Sequence, residues 1–295
     1  MEIRVKLTAE IYLLLAIISS AAMSIVLKLF PVKEGMNRYA IILGNYLTCV
    51  VIGFLLLPEK GLIFHPEPVT LLCGVLGGVM FFLGLFTQQK SIEVNGAILT
   101  SAFTMLGLVV PLLLSILLFG EKPTAMQAAG IVLVIIAVLV INGAKKEEGL
   151  NLQIRPLLLV FVLLSYGGAG SMSKIFESVG SRAQDELYIF YVFVFASVLT
   201  AFLMWSETKI HGKKISGKDF LAGVLVGIPN YFSSALQLAA LVGLPAIIVY
   251  PTFSTGVIVL VTLVGAIAFK EKPGKRGWIG VGIILAAVLL LNLGG

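Results

Sequence analysis

From Val94 to Phe119 the chain runs for 26 residues without a charged side chain, longer than the ~20 apolar residues that span a bilayer's hydrocarbon core. Comparable apolar runs recur along the whole sequence. Apolar residues make up 59% of the 295 and charged ones 12%, too little polarity to cover such runs in a water-soluble domain. The sequence therefore reads as an integral membrane protein in contact with the lipid bilayer. Divided by the length of one crossing, it has room for about ten helices.

Charged and turn-forming residues mark the boundaries. The expected spans are Ile11–Phe30, Tyr39–Leu57, Val69–Phe86, Val94–Phe119, Thr124–Ile141, Pro156–Phe176, Leu187–Trp205, Phe220–Val242, Leu244–Phe269 and Trp278–Leu293. The pieces between them are short and leave no separate soluble domain. A membrane barrel would alternate in and out over about ten residues, whereas these runs are apolar all round. The expected fold is all-α.

One charged hairpin is written twice. FGEKPTAMQAAGIVLVIIAVLVIN, Phe119–Asn142, returns 150 residues later as FKEKPGKRGWIGVGIILAAVLLLN, Phe269–Asn292, with nine identities in 24 positions. The identities include Glu121-Lys122-Pro123 against Glu271-Lys272-Pro273, Gly130 against Gly280, and Asn142 against Asn292. Each copy reads as a tight polar turn at the membrane surface, with Pro starting the next helix where its missing N–H costs nothing.

Other helices extend the repeat. Gly74–Gln88 matches Gly223–Gln237 at an offset of 149, sharing Gly74/Gly223, Gly78/Gly227 and Gln88/Gln237, and both carry small-xxx-small faces suited to close helix packing. Ser19–Phe30 and Ser165–Phe176 share small residues followed by Lys28 and Lys174, at an offset of 146. The chain thus divides into two five-helix units, 1–143 and 155–295, joined by 144–154. Five is odd, so the second unit enters the membrane from the opposite side. Ten transmembrane helices in two inverted five-helix repeats follow the architecture of secondary transporters.

With two five-helix units, each carrying an E-K-P hairpin after its fourth helix and an early Gly in its fifth, the chain resembles the EamA type of the drug/metabolite transporter superfamily. The resemblance covers nearly the whole chain and is strongest at Glu121-Lys122-Pro123 with Gly130 and at Glu271-Lys272-Pro273 with Gly280. It implies a transporter and not an enzyme. It leaves the substrate open, because the superfamily moves amino acids, quaternary amines, nucleotide sugars, phosphorylated metabolites and drugs. The small multidrug exporters of that superfamily use a first-helix carboxylate for proton exchange; here that helix offers only Glu10, at its start.

Several other readings carry less weight. Arg4, Lys6, the apolar Ile11–Ile18 and the small run Ser19-Ser20-Ala21-Ala22 have the layout of a signal peptide. The apolar run, however, continues to Phe30 and has a mid-chain counterpart at Ser165–Phe176. Cys49 and Cys73 lack metal-ligand spacing and read as packing residues; His65 and His211 fall in loops. No arrangement points to a metal, a cofactor or acid–base chemistry. The net charge of +6 is spread over short loops, which argues against nucleic acid as a partner.

Loop charge suggests an orientation. Six basic residues (Arg4, Lys6, Lys60, Lys122, Lys174, Arg182) lie on the side of the termini and the other fifteen on the opposite side. The positive-inside rule then places both termini outside the cytoplasm of a cell membrane, with Arg4 and Lys6 dissenting. Both units lie in one chain, so a monomer suffices.

Polar groups inside a bundle are the candidate substrate contacts. Lys28 and Lys174 sit near helix ends, either snorkelling to the interface or forming a symmetric pair of cationic anchors. Pro229-Asn230-Tyr231 and Tyr250-Pro251-Thr252 lie mid-helix, where Pro frees a carbonyl, and Pro111 is expected to kink the fourth helix. Such interruptions point to a binding site or to a packing kink. Gln88 and Gln237 either join helices or meet substrate. Tyr166, Tyr231 and Tyr250 either pack or stack on a ligand such as a quaternary amine. The first-unit counterparts Phe81, Phe82 and Thr100 are mostly apolar, which suits an asymmetric solute. The expected function is secondary transport of a small metabolite (amino-acid-like, amine, related solute or drug-like) by alternating access; a lipid-handling carrier or a membrane-embedded enzyme is the alternative.

Overall fold

The computed structural model describes residues 2–29, 38–95, 97–142, 155–212, 215–269 and 275–293. Regular structure there is helical: α1 (Glu2–Leu29), α2 (Arg38–Leu56), α3 (Pro68–Asn95), α4 (Ala97–Leu106), α5 (Val109–Leu118), α6 (Ala125–Asn142), α7 (Pro156–Val179), α8 (Asp185–His211), α9 (Gly217–Gly243), α10 (Ala246–Ala268) and α11 (Lys275–Leu293). Short 3-10 turns occupy Lys60–Phe64 and Arg182–Gln184. Among the described residues, seven helices are long and apolar enough to cross a membrane, and Phe103–Leu118, Ala125–Val140 and Trp278–Leu291 are shorter apolar stretches. Leu117 and Ile267 are more than three-quarters exposed, as expected of side chains that face lipid. The chain is an integral, multi-pass membrane protein.

Helix ends follow local chemistry. Pro156 opens α7 behind an extended Arg155, where its missing N–H is no loss. Gly212, at φ +63°, closes α8 in the left-handed region. Ser216 caps α9 by accepting from the Lys218 N–H at 3.2 Å. In the first E-K-P hairpin, Gly120 takes φ +69°, and Pro123 proves to lie just before the helix rather than in it. Thr124 is the cap: its N–H donates to Gln127 Oε1 at 2.9 Å and its hydroxyl accepts from the Gln127 N–H at 3.3 Å, a reciprocal capping box.

Several expected boundaries shift. The third helix runs on through Gln88 and Ser91 to Asn95 instead of stopping at Phe86, and the first and seventh begin earlier. His211 ends α8 and is not in a loop. The run from Val94 to Phe119 is not one helix: α4 and α5 break at Gly107–Leu108. Pro111 lacks the N–H that would reach the Gly107 carbonyl, and Val110 supplies a tighter bond to it at 3.0 Å. Pro229 and Pro251, expected to interrupt their helices, sit inside continuous α9 and α10.

Glycines set the close approaches. A methyl group at Gly227 would lie 2.6 Å from the Asn45 carbonyl and 2.6 Å from Thr48 Cβ, and one at Gly223 would strike the Ile41 carbonyl, so α9 lies flush on α2. Gly74 and Gly78 do the same for α3 on α8, where methyl groups would approach Tyr191 Cβ at 2.6 Å and Phe195 Cβ at 2.7 Å. Helix α9 also packs on α1, α3 on α7, and α6 on α11. The second hairpin, Lys270–Pro273, lies outside the described residues, as do the side chains of Lys28, Asn142 and Asn292.

Candidate functional site: a central uncharged cavity

A cavity of about 350 Å³ occupies the middle of the bundle. Among the described residues, every helix except α6 and α11 contributes to its wall, and none that lines it carries a charge. Aromatic and aliphatic surface dominates, with amides and hydroxyls set into it, the composition of a small-molecule site.

The expected site residues divide. Asn230, Gln237, Tyr166 and Tyr250 line the cavity. Asn230 Nδ2 donates to Asn45 Oδ1 at 3.0 Å, joining α9 to α2. Tyr250 donates to the Gly170 carbonyl at 2.6 Å. Tyr166 donates to Gln88 Oε1 at 2.7 Å, so Gln88 orients a wall residue and does not itself line the space. Tyr231 is 2% exposed and packs on Phe193 at a centroid distance of 6.3 Å and on Phe232 at 5.6 Å, away from the wall. The Lys28 side chain lies outside the described residues.

Lys174 neither snorkels nor reaches the cavity. It is buried, with its ammonium 3.0 Å from Glu121 Oε1 and 2.9 Å from Glu177 Oε2. Glu177 also holds Arg182 at 2.7 Å, and the ammonium sits 5.7 Å above the Phe119 ring. The Glu121 carboxylate accepts from the backbone N–H groups of Ala246 and Ile247 at 3.0 and 3.1 Å. Pro245, at the N-cap of α10, has no side chain able to do this, so the hairpin after α5 caps a remote helix and complements its dipole. Burial, the largest single influence, pushes the Glu121 carboxyl up. The nearby Ser115 hydroxyl, which lies outside strict hydrogen-bond geometry, the two backbone N–H groups and the Lys174 ammonium together outweigh burial and hold the carboxyl below the usual glutamate value.

This cluster lies one turn from the cavity. Lys174 is four residues beyond Gly170 on α7, and Ala246 is four residues before Tyr250 on α10, ~6 Å at 1.5 Å per residue. Asn45, Tyr46, Tyr188, Ser233 and Ser234 are among the further polar residues of the lining, with hydroxyls from α1, α4, α7 and α10 beside them. The helical spacing of the two serines with Asn230 was legible in sequence; Asn45, Tyr46 and Tyr188 gave no local signal.

A helical membrane bundle with a solute-sized cavity whose described lining is uncharged has the form of a membrane solute transporter. The chain belongs to the EamA-like transporter family, whose profile matches residues 7–143 and again residues 154–293. It is 28% identical over 293 residues to an uncharacterized protein of Haemophilus influenzae, covering 95% of this chain and 96% of that one. It is 26% identical over 285 residues to the glucose uptake protein GlcU of Bacillus subtilis, covering 90% and 92%. A solved crystal structure that is 16% identical shares the fold, with a TM-score of 0.68 over 98% of this chain and 97% of its own.

Proposed function

We propose that the protein is a secondary transporter that moves a small uncharged polar solute, a neutral sugar or similar polyhydroxylated molecule, by alternating access at the central cavity. The observation that carries this reading is the absence of charge among the described residues that line the cavity. A zwitterionic amino acid or an amine would lose its hydration there and gain no ionic partner. A neutral polyol exchanges water for amide and hydroxyl partners and lays its C–H surface on aromatic rings. The glucose uptake named for the Bacillus subtilis relative is consistent with this chemistry.

The architecture supporting it is ten crossings in two inverted repeats, 1–143 and 155–295, joined by 144–154. Two observations favour this division: the family profile matches twice, and the packing keeps its form when the halves are exchanged. The third helix of each half packs on the first and second of the other, α9 on α1 and α2, α3 on α7 and α8. The fifth helices, α6 and α11, pack on each other. Such interlocked halves rock about a site at their interface, with the Glu121–Lys174 cluster tying α7, α10 and the hairpin after α5 together at one end. A monomer is sufficient, in a cell membrane with both termini outside.

Counterflow in proteoliposomes preloaded with unlabelled solute tests the reading. Labelled D-glucose or another neutral monosaccharide is expected to accumulate transiently, while amino acids and quaternary amines are not. Counterflow of charged solutes alone overturns it.

A further inference from the structure

We infer that one face of α9, formed by Asn230, Ser233, Ser234 and Gln237, is the hydrogen-bonding half of the binding site, opposed by an apolar half on α3, so that the site selects an uncharged solute polar along one edge and apolar across a face. The inference rests on the central cavity being the solute site. The four side chains stand at i, i+3, i+4 and i+7, which places them on one helix face, and all four line the cavity. Their neighbours point elsewhere: Tyr231 is buried against Phe193 and Phe232 is exposed at the outer surface.

The hydroxyls of this face are unspent. A serine in an apolar helix ordinarily bonds back to a carbonyl one turn earlier, as Ser165 does to Phe161 at 2.7 Å and Ser171 to Gly167 at 2.9 Å. Among the described residues, no hydrogen bond engages the side chains of Ser233, Ser234 or Gln237, and none of their polar atoms is sealed from the cavity. Three donor-acceptor groups are therefore open to a ligand along a strip of ~6 Å.

The same register on α3 is the reverse. At the offset of 149 residues, Asn230, Ser233, Ser234 and Gln237 correspond to Phe81, Gly84, Leu85 and Gln88. Phe81, Gly84 and Leu85 line the cavity and offer no side-chain polar group. Gln88 is already held by Tyr166, whose ring occupies the room left by Gly84, 3.3 Å from where a methyl group would stand. Two related helix faces thus meet across one space with opposite chemistry. A solute with a row of hydroxyls on one edge and C–H groups on its face satisfies both, whereas one hydroxylated on all sides strands polar groups against α3.

The test uses the full chain in proteoliposomes with D-glucose as probe. Ser234→Ala and Gln237→Leu are each expected to raise the half-saturating D-glucose concentration by about five- to tenfold, the worth of one neutral hydrogen bond, and Ser233→Ala by a similar factor. Unchanged half-saturation in all three variants at matched protein levels overturns the inference. If the wild-type protein moves no D-glucose, the sugar reading fails and a second measurement decides the α9 face by itself. In a Cys49→Ala, Cys73→Ala background, Ser233→Cys, Ser234→Cys and Gln237→Cys are expected to react with a water-soluble methanethiosulfonate faster than Phe232→Cys. Reaction no faster than at Phe232 overturns the inference.

Discussion

The carboxylate of Glu121 lies 3.0 Å from the ammonium of Lys174, joining the hairpin after α5 to the end of α7. Because the same carboxylate caps α10 through Ala246 and Ile247, one side chain ties three segments together one turn from the cavity. Separating α7 from α10 at this end means breaking the cluster or moving it as a unit.

Lys174→Met leaves Glu121 and Glu177 facing each other without their shared cation, so a loss of about 3 kcal/mol is expected, the lower end for breaking a buried pair. Glu121→Gln with Lys174→Met is expected to cost less than the sum of the single changes, since residues in one network couple. Thermal unfolding of the purified variants measures both. Additive losses would show that the two residues act separately.

The pH dependence has a definite sign. Hydrogen bonds and the ion pair hold the Glu121 carboxyl below its ordinary value despite burial, so the folded pKa lies under the unfolded one, ~4.3. Its contribution is then fully present above about pH 4.3 and is lost as pH falls through the depressed folded value. The melting gap between wild type and Glu121→Gln is expected to stay constant from about pH 8 to 5 and to narrow only below about 4.3. A gap that closes near neutrality would contradict the assigned environment.

Much of the packing was legible in the sequence and little of the cluster was. Gly74, Gly78, Gly223 and Gly227 stood out by spacing, and each lies at a close helix approach. Glu121 also stood out, yet as a turn residue in headgroups, because its partner N–H at Ala246 is 125 residues away. Lys174 looked like a snorkelling lysine for the same reason. The Pro rule marked candidate interruptions but not which helix would break: α9 absorbs Pro229 and α10 absorbs Pro251, whereas the fourth run opens four residues before Pro111, at Gly107. Asn45 and Tyr188 matter through tertiary placement alone, which periodicity does not encode.

Glycine contacts predict where added bulk is tolerated. Gly227→Ala drives a methyl group to 2.6 Å from both the Asn45 carbonyl and Thr48 Cβ, and a loss of about 1–3 kcal/mol is expected from overpacking. Gly282→Ala on α11 meets nothing within 4 Å and is expected to be neutral or to stabilise by up to about 1 kcal/mol. Melting temperatures of the two variants should differ in that order; equal values would mean that α2 and α9 separate freely.

Asn230 and Tyr231 are adjacent and their substitutions should part company. Tyr231 is buried beside Phe193 and off the cavity wall, so Tyr231→Phe is expected to leave solute half-saturation unchanged within about twofold. Asn230→Leu removes the 3.0 Å bond to Asn45 and a lining amide, and about a tenfold weakening is expected from one lost bond with a partner left unpaired. Equal effects in counterflow would show that the α9 wall is not read by its lining residues.

The orientation proposed from loop charge is tested at Lys122 and Lys218. Lys122 belongs to the same end of the bundle as Arg182, through Glu121, Lys174 and Glu177, and α9, whose first turn holds Lys218, starts from the opposite end in the ten-crossing arrangement. In that proposed arrangement the end with Lys122 would carry six basic residues and the other fifteen, and the positive-inside rule would put Lys122 outside and Lys218 in the cytoplasm. Both positions are exposed. In a Cys49→Ala, Cys73→Ala background, Lys122→Cys is expected to react with an impermeant maleimide added to intact cells, and Lys218→Cys only after permeabilisation. The reverse pattern would mean that Arg4 and Lys6, beside the first helix to insert, outweigh the loops and that the Glu121–Lys174 cluster lies at the cytoplasmic end.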